Sequence, residues 1–203
     1  MRFRLQSFAA IVLVLTVLAC DHDDAPLPDN IKVTIEGVEY PTVTLGSQTW
    51  MSINYAGAGG VHFDDQNSRP EFGKYYSKTE VEAIKLPPGW RLPTQQDYEK
   101  LATVYGFSIP SNGTHTDHIK NLTSTTQWNN VPGTNASGFN AYPAGYVFQN
   151  WPPIPGDIAE FWVAGGLTLS IQEAGTSLTS LRMVFYQSDN SPELKFNVRF
   201  VRD

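Results

Sequence analysis

Two pairs of side chains have the types and spacing that catalysis or metal binding could use. His115 and His118 are three residues apart, a spacing that a helical turn could present to zinc, but no third ligand stands nearby in the sequence. Asp157 and Glu160 are also three apart, and paired carboxylates can hydrolyse glycosides. Residues three apart on a strand, however, face opposite sides of the sheet. We therefore expect a solvated loop at the histidines and ionised surface acids at the carboxylates, and no enzyme is predicted.

A run of oxygen-bearing side chains lies in the Gly-, Asn- and Asp-rich segment 54–74. Asp64, Asp65 and Asn67 could offer oxygen ligands to Ca²⁺, although the run lacks the full ligand spacing of a known calcium loop. Calcium binding is one interpretation of this run, and a solvated polar loop is the other. No other metal and no organic cofactor is predicted.

Aromatic side chains near the loops are the candidate ligand contacts. Trp151 lies in the proline-rich run 150–157, which is a rigid way to present an aromatic face to a sugar ring or a peptide. Trp128 and Tyr146 are the other candidates. The alternative for Trp151 is that its side chain folds back over a shallow part of the core.

Two helices and two early hairpins must position these residues. Ser77 with Glu80, and Thr94 with Asp97, form capping boxes that predict two helices, the second ending at Gly106. Alternation of apolar and polar residues predicts paired strands within 32–40 and 43–51.

Short strands are expected again after Gly138, preceded by a helical turn at 117–122. The predicted strands are 139–142, 146–148, 158–163, 167–171, 181–186 and 195–201. Strands, then helices, then strands indicate an α+β fold with an antiparallel sheet.

The N-terminus has the layout of a bacterial lipoprotein signal. Arg2 and Arg4 precede an uncharged apolar run at 8–18, which is too short to span a bilayer, and Cys20 follows directly. We predict a signal peptide at 1–19, acylation of Cys20 and a lipidated tether at 20–30. The alternative is an ordinary secretory signal with an unrelated cysteine.

The net charge of the chain limits the classes of partner that it is expected to bind. Removal of residues 1–19 leaves 12 Lys and Arg against 20 Asp and Glu, a net charge of −8, because that segment carries only Arg2 and Arg4. An acidic chain without a basic cluster is a poor nucleic-acid binder, so membrane attachment is expected through the lipid alone. The acidic stretch 21–24 is either an export signal to the outer face or a solvated linker. Residues 31–203 are expected to form one domain without a disulfide.

Six blocks occur in a fixed order over residues 45–203. They are Gly46-Ser-Gln-Thr-Trp-Met51, Phe72-Gly-Lys-Tyr-Tyr76, Pro87-Pro-Gly-Trp-Arg-Leu-Pro-Thr94, Ser137-Gly-Phe-Asn-Ala-Tyr-Pro-Ala-Gly-Tyr146, Ala159-Glu-Phe-Trp162 and Phe196-Asn-Val-Arg-Phe-Val-Arg-Asp203. This order resembles the Fibrobacter succinogenes major paralogous domain. Three tryptophans inside these blocks are expected in the core, namely Trp50, Trp90 and Trp162.

The resemblance implies further structure. The family usually has cysteines just before P-x-G-W and inside its terminal V-R-C-V, where this chain has Leu86 and Phe200. These two side chains are therefore expected to pack near each other in place of a lost disulfide. The resemblance also implies a C-type-lectin-like fold, related to the formylglycine-generating enzyme but without the active-site cysteines of that enzyme.

The resulting hypothesis is an outer-membrane lipoprotein that faces the cell exterior and binds an extracellular ligand without catalysis. A glycan is the first ligand expected, at a site formed by loops 54–72, 107–136 and 149–157. The alternative is a structural or assembly subunit of a cell-surface complex or appendage, which would bind a surface protein.

Overall fold

The computed structural model describes residues 31–149, 151–188 and 191–203, so Cys20 and the predicted signal and tether lie outside the described residues. The strands are β1 Lys32–Ile35, β2 Val38–Leu45, β3 Gln48–Met51, β4 Val147–Phe148, β5 Ile158–Val163, β6 Leu167–Ala174, β7 Ser180–Gln187, β8 Leu194–Lys195 and β9 Val201–Arg202. The helices are α1 Lys78–Ala83, α2 Gln95–Val104 and α3 Thr116–Ile119, with a 3₁₀ turn at Pro70–Phe72.

The strands form three sheets, in the orders β1-β2-β3-β9, β4-β8 and β5-β6-β7. All of these strand pairs are antiparallel. The expected mixture of mostly antiparallel strands with a few helices is therefore confirmed. Among the described residues, no helix is both long and apolar enough to cross a membrane.

The first sheet is built from two tight hairpins, as the alternation predicted. Glu36 and Gly37 join β1 to β2 with φ angles of 49° and 85°, which is the backbone conformation that a two-residue hairpin turn requires. Leu45 pairs with Gln48 across the second turn. β9 then pairs with β3, so the last strand closes the sheet formed by the first residues of the domain.

Both predicted capping boxes are present. The Ser77 hydroxyl accepts from the Glu80 N–H and the Glu80 carboxylate accepts from the Ser77 N–H, which satisfies donors that the first turn of α1 leaves open. Thr94 and Asp97 do the same for α2. Tyr98, Leu101 and Ala102 on α2 are buried against the main core.

Two large clusters of buried side chains form the core. Trp50 belongs to the first cluster, whereas Trp90 and Trp162 belong to the second, so the expected burial of the three block tryptophans is confirmed. Phe200 belongs to the second cluster, and the partly buried Leu86 packs against that cluster. The expected packing of Leu86 beside Phe200 stays a prediction.

A buried arginine connects the two large clusters. The guanidinium of Arg199 is fully buried, 4.4 Å from the ring centroid of Phe139 and 5.4 Å from that of Phe161. Its Nε donates to Asn54 Oδ1 at 2.8 Å and its Nη2 donates to the Asn140 carbonyl at 2.8 Å. No carboxylate pairs with it among the described residues. Aromatic faces and neutral acceptors thus balance the buried charge.

Two of the predicted strands are wrong in extent. Residues 139–142 form only an isolated bridge, between Ala141 and Thr123. The predicted strand 195–201 is divided into β8 and β9, and between them Phe196 bridges Tyr76 while Asn197 bridges Phe161. Successive residues of this segment pair with different partners. The backbone therefore does not continue as one regular strand.

Candidate functional site

The outer face of the β5-β6-β7 sheet carries a polar groove. Its inner face packs Phe161, Leu169 and Met183 into the first cluster. Side chains alternate along a strand, so the residues between these point to the other face. There, Glu160 pairs in register with Ser170, and Thr168 pairs with Tyr186. The result is a cavity of about 410 Å³.

Glu160 lies at the floor of this groove, so the expectation of a surface acid is wrong for this residue. Its side chain is only 6% exposed, and the Thr168 hydroxyl donates to Oε1 at 2.6 Å. Burial raises the pKa of Glu160, and hydrogen bonds from Thr168 and Ser170 oppose the rise. A buried carboxylate at the floor of an open groove is a ready hydrogen-bond acceptor for a ligand.

Two tyrosines stand at the rim of the groove. Tyr146 is 42% exposed and Tyr186 is 43% exposed. The Tyr146 ring centroid lies 5.7 Å from that of Phe196, which is itself buried, and Tyr186 Oη accepts from Gln172 Nε2 at 3.0 Å. Each tyrosine therefore contacts a neighbouring side chain and still exposes part of its own side chain to solvent.

A second cavity of about 280 Å³ adjoins the first and shares Tyr146 and Ile158 with it. Trp151 lines this cavity with 70% of its side chain exposed, and Ile154 lines it with 78% exposed. The Trp151 side chain is therefore exposed, as expected, and does not fold back over the core.

The loop that carries Trp151 is held at both ends. The Gly156 N–H donates to the Pro143 carbonyl at 2.8 Å, and the Gly145 N–H donates to the Ile158 carbonyl at 2.8 Å. At Gly145, where φ is 67°, a Cβ atom would lie 2.3 Å from the carbonyl oxygen of Ile154. Glycine at this position lets the proline-rich loop pass close by, which fixes the base of the aromatic surface.

A third cavity, of about 660 Å³, brings two of the three calcium candidates to the same region. Asp64 and Asp65 line it together with Trp151. The Asp64 carboxylate accepts from the Ser68 N–H at 2.8 Å and also contacts the Ser68 hydroxyl, so it holds its own turn. Hydrogen bonds from Ser68 lower the pKa of Asp64. Asn67 closes this turn through its N–H to the Asp64 carbonyl at 3.0 Å.

Trp128 is buried in the core, so the expectation that it lies at the surface as a ligand contact is wrong. Its side chain is 6% exposed and belongs to the first core cluster. Glu173 explains the burial, because its carboxylate accepts from the backbone N–H groups of Asn130, at 2.7 Å, and Val131, at 2.9 Å. These bonds draw the loop after Trp128 onto β6. Trp151 and Tyr146 thus remain as the aromatic candidates, and Trp128 does not.

The remaining polar pairs have local partners. The ring of His115 stacks on Phe107 with centroids 6.2 Å apart, and His118 Nδ1 contacts the carbonyl of Tyr105. Asp157 lines the second cavity whereas Glu160 lines the first. Within the described ranges, no three His, Cys, Asp or Glu side chains are grouped so that they could hold a metal ion.

The sequence patterns do not single out most of the groove. They place Tyr186, Thr168 and Ser170 only within predicted strands, and Gln172 directly follows the predicted strand 167–171. The signal was present, because the polar residues within 168–172 alternate with Leu167, Leu169 and Ile171, and such alternation indicates a sheet with one solvent face.

Comparison with known proteins gives one family. Neither a curated protein nor a solved structure matches the chain. The sequence model of the Fibrobacter succinogenes major domain (Fib_succ_major) matches residues 43–202. This range covers most of the chain and all three cavities, and the chain therefore belongs to the Fibrobacter succinogenes major domain family.

Proposed function

We propose that this protein is a non-catalytic lipoprotein of the outer membrane, anchored through Cys20, whose C-type-lectin-like domain binds an extracellular glycan. The domain would face the cell exterior. The proposed ligand surface, called the aromatic surface below, consists of Tyr146, Trp151 and Tyr186 with the cavities between them.

One observation carries the proposal, namely that these three exposed aromatic side chains border adjoining cavities. The flat faces of Tyr and Trp suit the apolar faces of sugar rings, whereas hydroxyl, amide and carboxylate groups suit sugar hydroxyls. The groove offers both kinds of group, because Ser170 and Gln172 lie beside Tyr186.

The support of the aromatic surface favours binding as well. Backbone hydrogen bonds hold the loop of Trp151 at Gly145 and Gly156, so little conformational entropy remains to be lost on binding. Ca²⁺ stays a proposed accessory through Asp64, Asp65 and Asn67. Asp64 and Asp65 line the third cavity together with Trp151.

The second candidate is a structural or assembly subunit, and a different feature favours it. Phe148, Trp151 and Ile154 are all exposed around the second cavity, and Ile154 offers no polar group to a sugar. Clustered apolar side chains of this kind also form the centres of protein interfaces.

A thermal-shift screen of the full chain, purified in detergent, tests the proposal. Plant, host and microbial polysaccharides are added with and without Ca²⁺, and a bound ligand should raise the midpoint of unfolding. Trp151→Ala should abolish the shift. Val104→Ala, which removes an exposed apolar side chain on α2, is the matched control and should retain it.

The two candidates give different results. A flat response to every polysaccharide, together with one partner protein recovered by crosslinking on intact cells, would overturn the glycan proposal and support the assembly role. A shift that Trp151→Ala leaves unchanged would place binding outside the aromatic surface.

A further inference from the structure

The three adjoining cavities are lined by several acids, and Arg182 lies at the rim of the first, where its Nη2 donates to Tyr186 Oη at 3.4 Å. Their described lining residues include Asp64, Asp65, Asp157 and Glu160, and they include no Lys or Arg. A polysaccharide with carboxylate or sulfate groups would bring like charges together on this surface, whereas a cation would be attracted to it. The charge therefore favours a ligand that carries a positive group.

Glu160 is the most deeply placed of these acids. Its partners are the hydroxyl groups of Thr168 and Ser170, and in the described part of the chain no Lys, Arg or His forms an ion pair with it. Buried carboxylates are normally paired, since removing an unpaired charge from water is costly. A cation entering the groove would supply the charge that the fold does not.

The rim of the groove suits the same cation. Tyr146 and Tyr186 line the cavity that has Glu160 at its floor, and both tyrosines are partly exposed. An ammonium group within about 6 Å of an aromatic ring is attracted to the face of the ring. Carboxylate and aromatic faces around one small cavity thus form a cradle for an amine.

We infer that this groove binds an amine-bearing sugar, with the ammonium group against Glu160 and the sugar ring against Tyr146 and Tyr186. The inference rests on the proposed glycan binding and adds the chemical class of the sugar. The remaining polar lining, including Gln172 and Gln187, would accept and donate hydrogen bonds to the ring hydroxyls.

The test compares three oligosaccharides of equal length and linkage that differ only at carbon 2 of each ring. Oligomers of glucosamine, N-acetylglucosamine and glucose carry there an amine, an acetamide and a hydroxyl. Titration calorimetry on the full chain in detergent, near neutral pH and at low salt, should show the glucosamine oligomer binding about tenfold to a hundredfold more tightly. Added salt should weaken only that oligomer.

Glu160→Gln keeps the shape and hydrogen bonding of the side chain but removes its charge. This variant should lose the preference for the amine and bind the three oligomers alike. Glu82→Gln, an exposed acid on α1 outside the cavities, removes the same charge and should keep the preference. The double variant Tyr146→Ala and Tyr186→Ala should also weaken binding of the glucosamine oligomer. Glu160 is intact in this variant, and both replaced side chains are partly exposed.

Other outcomes separate the inference from the proposal beneath it. Equal affinities of all three oligomers for the unaltered protein would retain glycan binding and overturn the amine assignment. A lysine-rich peptide that binds as tightly as the glucosamine oligomer, through Glu160, would overturn the sugar assignment. A polysaccharide that binds in the thermal-shift screen while the glucosamine oligomer does not would overturn this inference alone.

Discussion

Both carboxylate oxygens of Asp97 contact the guanidinium of Arg91, with Oδ1 3.0 Å from Nη2. The same carboxylate caps α2 through Thr94 and accepts from Gln48 Nε2 at 2.7 Å. Arg91 also reaches Asp203, at 2.8 Å. One nearly buried acid therefore connects β3, the start of α2 and the residue that follows β9.

Replacement of Asp97 by Ala should destabilise the domain by about 2 kcal/mol. The variant loses a helix cap, a contact to Gln48 and an ion pair whose arginine is partly exposed, so its loss costs less than that of a fully buried pair. Urea denaturation measures the change. Glu99→Ala, on the same helix but outside the cap, is the control and should stay within about 0.5 kcal/mol; equal effects of the two changes would contradict the assigned role.

The stability of the domain should fall in acid because of Glu80. Burial alone would raise the pKa of Glu80, but the Ser77 N–H, the Lys195 ammonium and the Ser77 hydroxyl outweigh it and lower the pKa from 4.5 to about 2. A carboxylate whose pKa is lowered in the folded state stabilises the fold at pH values above its unfolded-state pKa. That contribution is lost as the pH falls from 4.5 toward 2.

Denaturation of the unaltered protein and of Glu80→Gln at a series of pH values checks this assignment. The difference in unfolding free energy should be largest near neutral pH and should vanish near the folded-state pKa. Glu82→Gln, at an exposed neighbour on α1, should show little difference at any pH. A constant deficit of Glu80→Gln over the whole range would mean that its charge has no role.

Arg199→Lys should destabilise the domain by about 3 kcal/mol, although it retains the positive charge. Burial lowers the pKa of Arg199 to about 9, and the guanidinium serves separate acceptors on Asn54 and Asn140. A single ammonium group cannot reach all of these positions, so buried acceptors lose their donors. Thermal and urea unfolding measure the loss.

The control for Arg199 is Arg202→Lys. Arg202 lies over the ring of Trp90 with its guanidinium carbon 5.5 Å from the centroid, a contact that an ammonium can also make. This change should cost under about 1 kcal/mol. Similar losses in the two variants would show that the bond geometry at Arg199 is unimportant.

The double variant Leu86→Cys and Phe200→Cys should form a disulfide under oxidising conditions. Leu86 packs against the buried cluster that contains Phe200. The resemblance implies cysteines at both of these positions in the family. The oxidised double variant should be more stable than its reduced form by about 3 kcal/mol. Thiol quantification with and without reductant measures bond formation, with Leu86→Cys alone as the control; two thiols that stay free would contradict the pairing.

Local patterns sufficed for the parts of the fold that depend on near neighbours. The capping boxes at Ser77 and Thr94 act over three residues, and the turn at Glu36-Gly37 needs only its own backbone conformation. These elements could be predicted because their stabilising contacts lie within one turn of sequence. The region from 195 to 201 could not, because its partners are Val147, Tyr76, Phe161 and Trp50, all distant in sequence.

The candidate site divides in the same way. The sequence by itself determined the family, the alternation of β6 and the stiff loop that carries Trp151, since each follows from residue type and order. Only the tertiary structure decided that Trp128 is buried, that Trp151 is exposed, and that Glu160 lies beneath Tyr146 and Tyr186. Burial and convergence depend on contacts between segments far apart in the chain, and no local pattern of residues encodes which segments meet.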